Sequence, residues 1–111
     1  MEITLSLHDD IPVFHLTGRL DVTTSSLLEE RLKPLLSMSH QRVVFDCASL
    51  MYVSSAGLRV FISSLRHLNT LGGDIAFASL TPIVKELFHL AGLENLFKIA
   101  VSVDEAALLI R

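Results

Sequence analysis

The sequence predicts an α/β fold: a mixed sheet opened by an antiparallel hairpin, otherwise largely parallel, with helices packed mainly on one face. Three observations lead there. Two period-2 apolar runs at the start flank a polar break, which is the pattern of a hairpin. Helical patterns then alternate with short strand-type runs, an arrangement that builds parallel pairing through right-handed crossovers. Each helical pattern carries a single apolar stripe, so each has one face to bury. The expected order is β-β-α-β-α-β-α-β-α.

The elements follow in chain order. Ile3-Thr4-Leu5-Ser6-Leu7 alternates as a half-buried strand does. Asp9-Asp10 marks a turn, and Ile11 to Leu16 resumes strand character until Gly18 and Asp21 end it. Thr23, Thr24 and Ser25 are candidate N-caps for a helix bearing Leu28, Leu32, Leu35 and Leu36 on one face. Pro34 inside that pattern is expected to kink or shorten its last turn. Arg42-Val43-Val44-Phe45-Asp46 reads as a strand buried on both faces.

Ser54-Ser55 opens the clearest helix, with Leu58, Phe61, Ile62, Leu65 and Leu68 on one stripe and Gly72-Gly73 stopping it. Asp74 to Ala78 is another short strand. Thr81-Pro82 suits a helix start, a capping hydroxyl followed by proline at the first helical position, and Gly92 suits its C′ position. Phe97 to Val101 is expected at a sheet edge. Ser102 and Glu105, three apart, form a capping box that starts a terminal helix.

At 111 residues the chain is expected to form one domain, residues 1–111, with a substantial core. Half the residues are hydrophobic and 19% charged, far from the composition of disordered chains. No apolar stretch approaches the ~18 residues a membrane helix needs, so no membrane insertion is expected. The start lacks a basic region followed by an apolar block, which reads as no secretory signal and a cytoplasmic location. The single cysteine, Cys47, excludes an internal disulfide and, among apolar neighbours, reads as a buried thiol. A net charge of -3, with basic residues scattered among acidic ones, argues against nucleic acid as a partner.

Catalysis finds little support. The five histidines stand alone as candidate ligands, so no metal site is expected. Neither phosphate-binding glycine motif is present, and no cofactor is expected. Val53-Ser54-Ser55-Ala56-Gly57-Leu58 invites comparison with a nucleophile elbow, but Val53 replaces its first glycine, and a triad would need a positioned histidine and acid. The plainer reading makes Ser54 an N-cap and Ala56 and Gly57 small packing residues.

The segment Tyr52 to Leu58 resembles the signature of the STAS family, the sulfate-transporter and anti-sigma-factor-antagonist domains, where a strand and short loop lead into D-S-[S/T/A]-G-L at a helix start. Gly18-Arg19-Leu20-Asp21, Val43 to Asp46 and Leu90-Ala91-Gly92-Leu93 resemble three further family segments in the right order, so the likeness spans nearly the whole chain. The resemblance implies a STAS-like sheet and a bacterial anti-sigma factor antagonist that is not an enzyme. It implies that Ser55 is the phosphorylated serine, with Asp21 close by and Ser54, Ala56, Gly57 and Leu58 in support or on the partner surface. It implies as partners an anti-sigma factor that is also a serine kinase, and a protein phosphatase. Ser54 stands where many members carry aspartate, a change that keeps an N-cap but removes a negative charge. The alternative is a STAS scaffold or regulatory subunit of a signalling or transporter-associated complex, acting without phosphorylation.

Overall fold

A computed structural model describes residues 1–111. The elements are β1 (Glu2–His8), β2 (Ile11–Leu20), α1 (Val22–Leu36), β3 (Arg42–Val53), α2 (Ser55–Thr70), β4 (Asp74–Ala78), α3 (Pro82–Leu90), β5 (Lys98–Ala100) and α4 (Val103–Leu109). They form one five-stranded sheet in the order β1-β2-β3-β4-β5. The β1–β2 pair is antiparallel and the other three pairs are parallel, in the expected order of elements.

The hairpin turns on Asp9 and Asp10, both with positive φ (49° and 68°), the backbone that a tight two-residue loop requires and that aspartate tolerates better than most residues. β2 does not stop at Gly18 as the sequence suggested. The strand passes through it at φ +104°, beside register shifts against β3, and ends at Leu20. Glycine permits that bulge where a side chain would be strained. Likewise β3 continues beyond Asp46 to Val53, because Thr17 to Leu20 of β2 offer it a pairing partner as far as the end.

α1 begins one turn earlier than Thr23–Ser25 would place it. Asp21 is its N-cap, accepting from the Thr24 N–H at 2.9 Å while the Thr24 hydroxyl accepts from the Asp21 N–H at 2.9 Å. Two donors of the helix start are satisfied reciprocally, with threonine doing the work usually given to glutamate. Pro34 lies inside the last turn of α1, which ends at Leu36. At α3, Pro82 takes the first helical position as expected, but the Thr81 hydroxyl does not cap. It donates instead to the Leu50 carbonyl at 2.7 Å and ties the start of α3 to β3. Ser102 caps α4, its hydroxyl accepting from the Glu105 N–H at 3.1 Å.

Alternation along the strands builds two cores of unequal size. Phe45, Cys47, Ile75 and Phe77 face α1, α2 and α3, meeting Leu28, Leu32, Phe61, Leu65, Leu68, Val84 and Phe88. All six phenylalanines join one ring network on this side, with centroid separations from 4.6 to 6.2 Å. Such pairs add about 0.5–1.5 kcal/mol each beyond their buried area. The opposite face is thinner: Ala76 and Ala78 let α4 approach with Ala106, Ala107 and Ile110. Three helices therefore cover one face and one short helix part of the other.

Candidate functional site

The parallel strands β2 and β3 end side by side, with Leu20 paired to Val53 and the Ser54 N–H donating to the Leu20 carbonyl at 2.8 Å. Asp21 and Ser54 follow directly as the N-caps of α1 and α2. The sheet thus brings together the two stretches, Gly18–Asp21 and Tyr52–Leu58, that lie far apart in the chain.

Within this corner the two serines have different fates. Ser54 is extended (φ -79°, ψ 172°), and its hydroxyl oxygen accepts from the Gly57 N–H at 3.2 Å. Ser55 is the first residue of α2, is exposed, and its hydroxyl makes no hydrogen bond within the protein. The free N–H groups and partial positive charge of a helix start favour an anionic group at such a position. Ala56 and Leu58 are half-buried, and Leu58 packs against the main core. Gly57 is buried: a Cβ there would lie 2.8 Å from Leu20 Cδ2 and 2.9 Å from Val53 Cγ1. It sets how closely α2 meets the sheet.

Asp21 is fully committed to Thr24, whose backbone and side-chain hydrogen bonds hold its carboxyl below the ordinary aspartate range. No ion pair or hydrogen bond joins it to Ser54 or Ser55. Next to it, the Arg19 guanidinium lies 4.4 Å from the centre of the Tyr52 ring, across the strand pair. The outward face of α2, from Ser55 past Arg59 and Ile62 to Thr70, is left open. Neither Arg19–Tyr52 nor Arg59 was singled out by the sequence; the i, i+4 spacing of Ser55 and Arg59 was the available signal for the latter.

One side-chain array gives a histidine partners that its place in the sequence did not reveal. On the sheet face away from α1–α3, His15 Nδ1 lies 2.7 Å from Asp46 Oδ2 and its Nε2 2.7 Å from Ser6 Oγ. His15 is the register partner of Thr4 on one side and Asp46 on the other, so pairing rather than sequence proximity assembles the row. His8 pairs with Asp104 of α4, and His89 meets Glu94 five residues on, at the end of α3. No three His, Cys, Asp or Glu groups gather as a metal cage would require.

The sequence profile described as STAS domain matches residues 2–106. The chain belongs to the STAS family. Among curated STAS relatives, a Bordetella bronchiseptica protein assigned as anti-sigma factor antagonist BtrV is 32% identical over 96% of this chain and 92% of its own length. The anti-sigma-B factor antagonist of Staphylococcus epidermidis is 29% identical over 89% of this chain and 92% of its own. The solved structure of the anti-sigma factor antagonist SpoIIAA in its unphosphorylated form superposes with a TM-score of 0.82 at 18% identity, covering 96% of this chain and 93% of that one. STAS antagonists are regulatory binding proteins, and this STAS chain is not an enzyme. No helix is long and apolar enough to cross a membrane.

Proposed function

We propose that the protein is a cytoplasmic anti-sigma factor antagonist, acting as a single domain. It binds an anti-sigma factor that is also a serine kinase, frees the sigma factor, and is turned off when that kinase phosphorylates Ser55. A protein phosphatase restores it. The observation that carries this reading is the division of labour between neighbouring serines: Ser54 is consumed as the cap of α2, and the Ser55 hydroxyl is left exposed and unbonded. The names of the relatives support the general role, and SpoIIAA, of the same fold, is a protein with a distinct unphosphorylated form.

A phosphate adds roughly -1.5 to -2 charge at pH 7. At the first turn of a helix that charge leaves the fold intact, so its effect falls on the docking surface. A loss of ~100- to 1,000-fold in affinity corresponds to about 2.7–4.1 kcal/mol, within reach of one desolvated, unpaired charge. The test is incubation with the host's anti-sigma factor kinase and ATP, followed by phosphosite mapping by mass spectrometry. One phosphate on Ser55 is expected; phosphate on Ser54, or none on the chain, overturns the proposal in favour of a constitutive scaffold.

A further inference from the structure

Helix α2 departs in charge from the acidic protein that carries it. None of the chain's twelve acidic residues lies between Ser55 and Thr70, whereas Arg59, Arg66 and His67 do. Arg59 and Arg66 are exposed, and neither guanidinium takes part in any of the ion pairs of the structure. Glu29 of α1 shares a cleft with Arg59 without pairing to it. Beside them, Leu58 and Ile62 are half-buried and leave part of their apolar surface on the same outward face. The sixteen residues of α2 give this surface a length of about 24 Å, enough to seat several turns of a second helix.

An apolar ridge edged by unpaired cations is complemented by an apolar stripe edged by carboxylates. We infer that this face of α2 docks an acidic amphipathic helix of the anti-sigma factor. The inference rests on the antagonist reading above and names the chemistry of the partner surface. Nucleic acid is a poorer occupant, since two arginines on a chain of net charge -3 offer few phosphate contacts. The same surface explains how a phosphate switches it. Ser55 lies four residues before Arg59, so the two side chains are neighbours on the helix. A phosphate there adds negative charge where the partner's carboxylates approach and repels them.

The test uses the full chain, isotope-labelled, and two synthetic helical peptides that share a leucine stripe flanked by glutamates in one and lysines in the other. The glutamate peptide is expected to shift the amides of Leu58, Ile62 and Arg66 and leave those of α4 in place. The double variant R59E/R66E, with melting temperature unchanged, is expected to bind it roughly tenfold more weakly and to prefer the lysine peptide. Equal shifts by both peptides, shifts confined to other surfaces, or unchanged binding by R59E/R66E would overturn the inference. So would a dimer, or binding of a DNA duplex, that the double variant abolishes, because the face then has another occupant. Binding to the anti-sigma factor separates the two claims. A wild type that binds it while R59E/R66E binds equally well refutes the dock alone. A wild type that does not bind it refutes the antagonist reading, and the peptide titration still decides what the surface accepts.

Discussion

Gly57 approaches Leu20 so closely that a methyl group on its Cα would sit 2.8 Å from Leu20 Cδ2. Leu20 is the last residue of β2 and wholly buried, so the contact fixes the height of α2 above the sheet and with it the position of Ser55. Gly57→Ala gains helix propensity of about 1 kcal/mol, yet overpacking a core contact of this kind costs about 1–3 kcal/mol. Urea unfolding is expected to show a net loss of stability, smaller in the Leu20→Val background where the contact is relieved. A variant more stable than wild type would show that α2 is free to move.

The two serines should separate cleanly in stability measurements. Ser54→Ala removes the cap bond to Gly57 and is expected to cost about 0.5–2 kcal/mol in urea unfolding, while Ser55 remains an acceptor of phosphate. Ser55→Ala removes an unbonded hydroxyl and should stay within about 0.5 kcal/mol of wild type and still bind the anti-sigma factor. Ser55→Asp should fold as well but bind the anti-sigma factor much more weakly, as calorimetry would record. Equal affinity for Ser55→Asp and wild type contradicts a charge-based switch.

Asp21 gives the fold a defined response to acid. Thr24 lowers its carboxyl pKa in the folded state, so its stabilisation is present above the ordinary carboxylate range and is lost as pH falls through the lowered folded value. Asp21→Asn keeps a cap acceptor and removes the titration. The variant should be less stable than wild type at pH 7, with the gap closing below about pH 4. A pH-independent difference between the two proteins would show that the charge contributes nothing.

Burial, with a smaller contribution from the neighbouring Asp46 charge, pushes the Cys47 thiol well above its ordinary range. The reactive thiolate is therefore scarce in the native state and sterically shielded. Iodoacetamide is expected to label Cys47 only through unfolding, with a rate that climbs steeply across the urea transition. Rapid labelling of the native protein would contradict the packing of this face.

How much of this was legible in the sequence depended on the range of the forces involved. Periodicity and local caps are short-range, and they placed the hairpin, the alternation of elements, the start of α2 at Ser54-Ser55 and the strand Asp74–Ala78. They could not fix where β2 and β3 end, because each strand persists only as long as the other supplies a pairing partner, through Gly18 and on to Leu20 and Val53. Nor could they tell which of several polar residues would cap α1: Asp21 took that place, with Thr24 as its reciprocal partner, once β2 had ended beside it. The motif around Ser55 was visible as residue types, but its exposure and the tight seat of Gly57 against Leu20 exist only after α2 docks. The row Ser6–His15–Asp46 makes the same point from the other face. Its members are scattered along the chain, and only the register of three strands, set by which side chains the two cores bury, draws them into hydrogen-bonding distance.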